Sequence, residues 1–478
     1  MFYNQVRGKA IQGYQRPSMN EYLGPLKPYK EGHAALQIRY SYELGAGVGF
    51  LLFCIAFAIH EDGFPTYKTD LFKLQMCKDA EEKLTKTYEN EEAKLIEKEV
   101  IENKEVENDL IDEEESMLLR ENVPKSPNGY PENVTYLLIG GGTASFSAFR
   151  SLKAKDARAK ILIVSGEEVV PYMRPPLTKE LWYSERTDVS DSELMFKGLS
   201  GRERNLFFEK EAFYTPLDSL EFNEKGGTSV LTGHEVIDLD AEKKIATLDD
   251  GRKIKFEKCL IATGGSPKQL SVFDGFGKDH VSTFRSVQDY KSLEKLVSNG
   301  QVKSVAVIGG GFLGSELAYS LNIKSKEKKL GLKITQIIAE KGILMKILPE
   351  YLSNWAVTKL KAEGIQVLNE SKVQYATLEN GKVKIQTDQG ANFEFDHVVV
   401  SVGIQPNNQL AQKAGLEIDV ENGGILANSK LKSSNKSFFV AGDVASYFHS
   451  DIGKKIQLGH HDNAISTGRL AGENMAGG

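Results

Sequence analysis

The chain has 478 residues, of which 40% are hydrophobic and 26% charged, a composition typical of a globular protein. Its formal net charge of −6 is far from the concentrated basic face that nucleic-acid binding requires. The three cysteines, Cys54, Cys77 and Cys259, include no Cys-x-x-Cys pair, so neither a disulfide scaffold nor a dithiol active site is indicated. No Cys/His cluster has the spacing of metal ligands, and we therefore expect no metal.

The first 43 residues are interpreted as a basic targeting segment. Residues 1–40 contain six Lys or Arg against two Glu. Mitochondrial presequences are basic, Ser-rich and amphipathic, and this segment shares the positive charge with them.

Residues 44–60 are predicted to form a transmembrane anchor. The run from Leu44 to Ile59 carries no charge, and sixteen residues make about 24 Å of helix, against about 30 Å for a hydrocarbon core. Tyr40 and Tyr42 could extend this reach at the membrane interface. A buried core helix and a cleaved targeting segment are the alternatives.

An acidic linker, residues 61–130, is predicted next. Between Lys78 and Glu121 there are 17 Asp or Glu against 7 Lys or Arg, with neither Gly nor Pro. Apolar positions are too sparse for a core-facing stripe, which favours a solvated helix or a disordered spacer. Pro124, Pro127 and Pro131 mark its end.

The first glycine fingerprint follows an apolar strand predicted at Tyr136–Ile139. Gly140-Gly-Gly-Thr-Ala-Ser145 then turns into a helix that runs through Leu152, with room for a pyrophosphate at the helix N-terminus. The next strand, Lys160–Val164, leads to Glu167. A carboxylate there can bind the ribose hydroxyls of a dinucleotide.

A second fingerprint repeats the pattern. The strand Val305–Ile308 leads into Gly309-x-Gly311-x-x-Gly314, and a strand at Ile334–Ile338 leads to Glu340. An acidic residue at this position favours NAD over NADP, although Lys341 and Lys346 lie nearby. Two such motifs predict two dinucleotides with electrons passing between them.

Three further segments fit a flavoprotein with two dinucleotide sites. Cys259–Gly265 is predicted as a strand and turn where the chain crosses between domains, and Val398–Gly403 as the return crossing, with Gly403 beside the cofactors. Phe438–Asp443 places a carboxylate where it can accept hydrogen bonds from a ribityl chain. The predicted fold is α/β, with two Rossmann-type dinucleotide-binding domains.

Four longer strings resemble the apoptosis-inducing factors of mitochondria, a family of FAD/NADH pyridine-nucleotide oxidoreductases. They are Pro171–Trp182, Gly309–Leu317, Glu340–Ser353 and His460–Met475, and the resemblance covers residues 131–478. It implies a glutathione-reductase-like fold. The FAD-binding domain would comprise 131–265 and 403–478, and the NAD-binding domain 266–402. The body would lie in the intermembrane space, anchored in the mitochondrial inner membrane.

The resemblance also implies which residues bind the cofactors. For FAD these are Gly140, Gly141, Gly142, Thr143, Ala144, Arg174, Lys179, Val236, Arg285, Asp443, His460 and His461. For NAD(H) they are Gly309, Gly311, Phe312, Leu313, Gly314, Glu340 and Lys346. Lys179, Glu316 and Phe312 are the implied catalytic residues, with Lys179 and Glu316 forming a pair near flavin N5.

The implied function is that of a membrane-tethered oxidoreductase that moves hydride from NADH to flavin N5. A redox-sensing role in respiratory-chain biogenesis and cell death follows, with a homodimer on reduction, an import partner in the intermembrane space, and DNA as a further partner. Two alternatives stay open. One is a flavin-dependent reductase of ferredoxin, quinone or monodehydroascorbate, and the other is a redox-impaired scaffold protein.

Three departures from the family pattern bear on these expectations. Leu199 stands where the family has an aromatic residue, and Gly459 replaces an acidic residue before the histidine pair. The family also continues past the position of Gly478 into a C-terminal domain that covers one flavin face. Without that domain, we expect weaker FAD binding.

Overall fold

The computed structural model describes residues 123–183, 194–198 and 201–477. The predicted targeting segment, anchor and most of the acidic linker lie outside these residues, as does Leu199. Within the described part of the chain, no helix is both long and apolar enough to cross a bilayer.

Strands dominate the described residues, because short β-branched and apolar runs alternate with glycine turns along the chain. The strands, numbered in chain order, are β1 (Asn133–Ile139), β2 (Lys160–Ser165), β3 (Met195–Lys197), β4 (Glu203–Asn205), β5 (Gly227–Thr232), β6 (Val236–Asp240), β7 (Ile245–Leu248), β8 (Lys253–Ile261), β9 (Gly265–Pro267), β10 (Val281–Thr283), β11 (Ser304–Ile308), β12 (Lys333–Ile337), β13 (Gln366–Leu368), β14 (Val373–Glu379), β15 (Lys382–Thr387), β16 (Asn392–Phe395), β17 (His397–Val400), β18 (Ile404–Pro406), β19 (Ile425–Ala427), β20 (Phe438–Val440), β21 (Ala445–His449) and β22 (Lys454–Gln457).

The α-helices of the described residues are α1 (Thr143–Lys155), α2 (Val287–Ser298), α3 (Phe312–Glu327), α4 (Glu350–Ala362), α5 (Gln409–Lys413) and α6 (His461–Met475). Short 3₁₀ helices occur at Pro175–Thr178, Glu180–Tyr183, Glu211–Phe213, Ser271–Phe273 and Gly442–Val444.

A seven-stranded sheet forms the first unit. Its order is β5-β2-β1-β8-β7-β6, with β20 also paired to β8. Strands β5, β2, β1, β8 and β20 run parallel, whereas β6 and β7 complete an antiparallel edge. Because β20 comes from the last part of the chain, two distant segments complete one sheet.

A five-stranded parallel sheet, with the order β10-β17-β11-β12-β13, forms the second unit. An antiparallel sheet of β14, β15 and β16 packs beside it and shares an apolar core with it. The strand-turn-helix units at the two glycine fingerprints therefore lie on separate parallel sheets, as expected for two Rossmann-type domains.

The chain crosses between the units at two adjacent points. Strand β9 follows the predicted crossing at Cys259–Gly265, and β18 follows the predicted return at Val398–Gly403. These two strands pair antiparallel, with Ile404 opposite Pro267 and Pro406 opposite Gly265. The second unit is therefore an insertion whose entry and exit are hydrogen-bonded together.

One apolar cluster joins the two units. Leu177, Leu181 and Trp182, from the chain that follows β2, are buried together with Leu317 and Leu321 of α3. Side chains of the first unit thus pack directly on the helix that begins at the second glycine turn.

Helix α6 packs closely on α1. A Cβ atom at Gly468 would lie 2.2 Å from the carbonyl oxygen of Ala144, and one at Gly472 would lie 2.4 Å from that of Ala148. Only glycine allows this approach. The N-terminus of α6, with its histidine pair, is held next to that of α1.

Candidate active site

The first glycine turn connects β1 to α1. Gly140 has a φ of +111°, and a Cβ atom there would lie 2.3 Å from the carbonyl oxygen of Ala262, so this position requires glycine. Gly142 differs, because a Cβ atom there would have no atom within 4 Å. The backbone at Gly142 is therefore open to close approach by a ligand.

The N-terminus of α1 is suited to an anion. Its cap residue is Gly142, so no side chain caps the first amides, and the first turn carries no acidic residue. The first N–H groups of a helix lack intrahelical partners and carry a partial positive charge. An open glycine in front of such amides fits the pyrophosphate of a dinucleotide.

The second glycine turn repeats this geometry between β11 and α3. Gly309 has a φ of +128°, and a Cβ atom there would lie 2.2 Å from the carbonyl oxygen of Ser401. Gly314 packs equally tightly, whereas Gly311, which caps α3 without a side-chain hydrogen bond, faces open space. This turn also fits a pyrophosphate.

A buried ion pair connects the two units. The Nζ of Lys179 donates to Oε2 of Glu316 at 2.6 Å, and the two side chains are 5% and 7% exposed. Lys179 follows the 3₁₀ turn at 175–178, and Glu316 lies in the second turn of α3. A charge pair removed from water is retained only with close partners, and this pair links the two units.

A second pair involves Glu167, the predicted ribose ligand after β2. Its Oε1 accepts from Arg174 at 2.5 Å and its Oε2 from the hydroxyl of Tyr172 at 2.6 Å. The pKa of Tyr172 is raised by burial, and the Glu167 carboxylate contributes to the shift. Both oxygens of Glu167 have protein partners, and each retains a second lone pair for a ligand.

A third pair joins the segment that follows β10 to the segment that follows β20. Arg285 donates to Oδ2 of Asp443 at 2.8 Å, and the backbone carbonyl of Arg285 accepts from Arg174 at 3.0 Å. Gln457 donates to the backbone carbonyl of Asp443. These contacts bring Arg174, Arg285 and Asp443 into one group.

The histidine pair begins α6. His460 caps this helix by accepting from the backbone N–H of Asp462 at 3.3 Å. Nδ1 of His461 lies 3.4 Å from the hydroxyl of Thr143, the first residue of α1. Burial lowers the pKa of His461, and the neighbouring Asp462 opposes this shift. At pH 7, which lies above the ordinary histidine pKa of 6.5, the His461 ring beside the first glycine turn is therefore mostly neutral.

The remaining predicted residues are distributed over both units. Glu340 follows β12 and lies 3.6 Å from Lys346, whose side chain is 87% exposed. Phe312 and Leu313 begin α3 and pack at the edge of the cluster that joins the units. Val236 is buried at the start of β6, and Gly403 has a φ of +108° before β18.

Three residues that contact the two pairs or support them were not predicted from the sequence. They are Tyr172, Thr178 and Ser320. Tyr172 donates to Glu167, and its oxygen accepts from Arg174 and from the backbone of Val287. Tyr172 and Thr178 belong to the Pro171–Trp182 string, which was the available signal. No sequence signal singled out Ser320.

Two open glycine turns on separate parallel sheets, joined by a buried ion pair, define a class of protein that binds two dinucleotides. The family model for pyridine nucleotide-disulphide oxidoreductases matches residues 134–468. The chain belongs to this family of flavoprotein oxidoreductases, which use FAD and NAD(H).

Within the family, the chain is similar to apoptosis-inducing factors. A Drosophila melanogaster protein that carries the name of mitochondrial apoptosis-inducing factor 1 is 40% identical over 358 residues, or 74% of this chain and 48% of that protein. Mitochondrial apoptosis-inducing factor 1 of Dictyostelium discoideum is 40% identical over 347 residues, or 72% of this chain and 62% of that protein. The chain therefore spans about half to three fifths of these curated relatives.

The fold is also that of a solved reductase. A chain of the covalent putidaredoxin reductase–putidaredoxin complex superposes with a TM-score of 0.61 at 21% identity, covering 73% of this chain and 76% of that one. The glutathione-reductase-like architecture expected from the sequence is confirmed.

Proposed function

We propose that this chain is an FAD-dependent NADH oxidoreductase of the apoptosis-inducing-factor type. The turn at 140–144 would hold the FAD pyrophosphate and the turn at 309–314 that of NADH. The flavin, when bound, supplies the hydride acceptor at N5. The observation that carries this proposal is the buried Lys179–Glu316 pair, which joins the chain after β2 to the helix that starts at the second turn.

The two sheets support a proposed domain assignment. The unit completed by β20 would be the FAD-binding domain, in segments 131–265 and 403–478, and the inserted unit at 266–402 would bind NADH. Arg174, Arg285 and Asp443 would hold the flavin nucleotide through their charges, since they already form one linked group. Neutral His461 would approach the flavin without adding charge.

The protein's contribution to the chemistry would be orientation and charge. Phe312 and Leu313, at the start of α3, would orient the nicotinamide. Lys179 would place a positive charge beside the flavin, where negative charge develops on reduction. Its buried position excludes water, which strengthens this electrostatic effect.

Glu340 would select NADH. A carboxylate after β12 can accept hydrogen bonds from the ribose hydroxyls and repels a 2′-phosphate. Lys346, at 3.6 Å from Glu340, would contact a phosphate of the same nucleotide. We therefore expect NADH to be used in preference to NADPH.

The decisive experiment is the absorbance spectrum of the purified full chain before and after anaerobic addition of NADH. The proposal requires a yellow protein whose flavin bands bleach with NADH. A protein that does not bind FAD would refute it and favour the scaffold alternative. Rapid steady-state turnover with ferredoxin, quinone or monodehydroascorbate would favour the reductase alternative.

We extend the proposal to location and role on the basis of the two relatives named as mitochondrial. Residues 44–60 would anchor the chain in the inner membrane, with the body in the intermembrane space. A redox-sensing role in respiratory-chain biogenesis and cell death would involve dimerisation on reduction, an import partner and DNA.

Carbonate extraction of mitochondria from cells that express the full chain or a variant lacking 44–60 tests the anchor. The proposal requires that only the full chain resist extraction.

A further inference from the structure

A buried group of hydroxyls surrounds the Lys179–Glu316 pair. The hydroxyl of Thr178 lies 2.7 Å from Oε2 of Glu316, the same oxygen that Lys179 approaches at 2.6 Å. Thr178 is 6% exposed, so that it is buried like Lys179 and Glu316. Two donors from neighbouring residues therefore converge on one carboxylate oxygen in a buried site.

The Thr178 hydroxyl has one proton and two acceptors within reach. The carbonyl oxygen of Pro175 lies 3.3 Å away, whereas the Glu316 oxygen lies 2.7 Å away. Hydrogen bonds to ionised acceptors are shorter and stronger than neutral ones. The proton therefore goes to Glu316.

Helix α3 also holds the backbone of Thr178. One turn after Glu316, the hydroxyl of Ser320 donates to the Thr178 carbonyl oxygen at 2.7 Å. The hydroxyl of Tyr183 lies 2.8 Å from Ser320, and it donates because the Ser320 proton is already used. The same face of α3 thus contacts Thr178 through both its side chain and its backbone.

This arrangement removes a freedom that glutamate otherwise has. The terminal torsion of a glutamate side chain is broad, so one partner leaves the carboxylate free to rotate. With Thr178 and Lys179 bound to the same oxygen, the carboxylate has one orientation.

The remaining contacts of the Lys179 ammonium, to Pro175 and Thr178, are both long, at 3.4 Å. Lys179 therefore retains capacity to donate to a ligand.

We infer that Thr178 is a positioning residue, whose hydroxyl orients Glu316 so that the Lys179 ammonium stays paired with it and directed toward the flavin. This inference rests on the proposed function. Loss of the hydroxyl would loosen the ion pair and let the ammonium move away from the flavin. The flavin would then be harder to reduce.

The test compares Thr178→Val, which keeps the shape without the hydroxyl, with Thr178→Ser, which keeps the hydroxyl. We expect Thr178→Val to slow anaerobic reduction by NADH about 10-fold, the value of one charge-assisted hydrogen bond, with NADH affinity changed less than about 2-fold. The flavin midpoint potential should become more negative. Thr178→Ser should restore both the rate and the potential. Thr358→Val is the matched control, because the Thr358 hydroxyl donates a hydrogen bond to the backbone carbonyl oxygen of Asn354 on an exposed face of α4.

A second measurement needs no cofactor. In urea unfolding of the full chain, Thr178→Val should lower the midpoint more in the wild-type background than in a Glu316→Gln background, because the neutral amide oxygen of glutamine accepts a weaker hydrogen bond from Thr178 than the carboxylate does. Equal losses in both backgrounds would overturn the inference, as would a Thr178→Ser variant as impaired as Thr178→Val.

The two proposals fail in different ways. If wild-type protein is not reduced by NADH, the proposed function fails, and the urea comparison alone decides whether Thr178 holds Glu316. If wild-type protein is reduced and Lys179→Ala impairs it, but Thr178→Val has an unchanged reduction rate and potential, only the role of Thr178 is refuted.

Discussion

Replacement of Gly311 by alanine separates ligand binding from folding at the second glycine turn. A Cβ atom at Gly311 meets no protein atom within 4 Å, and its φ of −79° is accessible to alanine. The folded protein should therefore lose only the difference between glycine and alanine as helix caps, about 1 kcal/mol. The added methyl group occupies the space through which a pyrophosphate would reach the first amides of α3.

The expected loss of NADH affinity follows from that geometry. If one charged hydrogen bond from the helix amides is broken, the cost is about 1.5–3 kcal/mol, or about 10- to 150-fold in dissociation constant. The proposed FAD site lies at the other glycine turn, so the flavin content should stay unchanged. Reductive titration with NADH under anaerobic conditions, followed by flavin absorbance, measures the effect.

Gly309→Ala provides the opposite control. Its φ of +128° and the 2.2 Å approach of the Ser401 carbonyl oxygen force a backbone shift, with strain of about 1–3 kcal/mol before any clash is counted. Gly309→Ala should thus unfold at clearly lower urea concentration than Gly311→Ala. Wild-type NADH affinity in Gly311→Ala, or equal destabilisation of the two variants, would refute this account of the turn.

Three more outcomes follow from the site. Arg285→Gln removes the pair with Asp443 and should raise the rate of FAD release about 10-fold, measured by flavin fluorescence; unchanged release would show that the pair does not hold the cofactor. Glu340→Ala should raise the ratio of NADPH to NADH use about 10-fold, as one charged contact is worth, and kinetics with both nucleotides check this. His461→Asn should flatten part of the stability curve below pH 6.5. Burial lowers the pKa of His461 in the folded protein. As the pH falls below 6.5, the unfolded chain therefore takes up the proton first. The free energy of unfolding decreases until the pH reaches the lower pKa of the folded state. Urea midpoints at a series of pH values measure it, and an unchanged curve would contradict the burial.

The glycine turns were predictable because their requirements are local. A strand, a residue with positive φ and a helix start are all written within about ten residues, and the observed strand Asn133–Ile139 and helix Thr143–Lys155 differ from the predicted bounds by only a few residues. The crossings were predictable for a related reason, since each ends a buried strand in glycine. The antiparallel pairing of β9 with β18 was not predicted, because it depends on two segments far apart in the chain.

Side-chain contacts between the units could not be derived from spacing. Lys179 and Glu316 are 137 residues apart and Ser320 and Thr178 are 142 apart. The first pair was expected from family resemblance alone, and the resemblance assigned no role to the hydroxyls of Thr178 and Ser320. Similarly, the contacts of Glu167 with Tyr172 and Arg174 were not predicted. Such contacts depend on how the two units pack, which local pattern does not encode.

The close packing of α6 on α1 has a consequence for biosynthesis. Ribosomes deliver a chain from its N-terminus, so the turn at 140–142 emerges more than 300 residues before Gly468 and Gly472. Until then, α1 has no partner on this face, and the first sheet also lacks β20 until residues 438–440 emerge. The inserted unit between the crossings is complete earlier and can fold first. The surroundings of the first glycine turn, although it is encoded earlier, are assembled last.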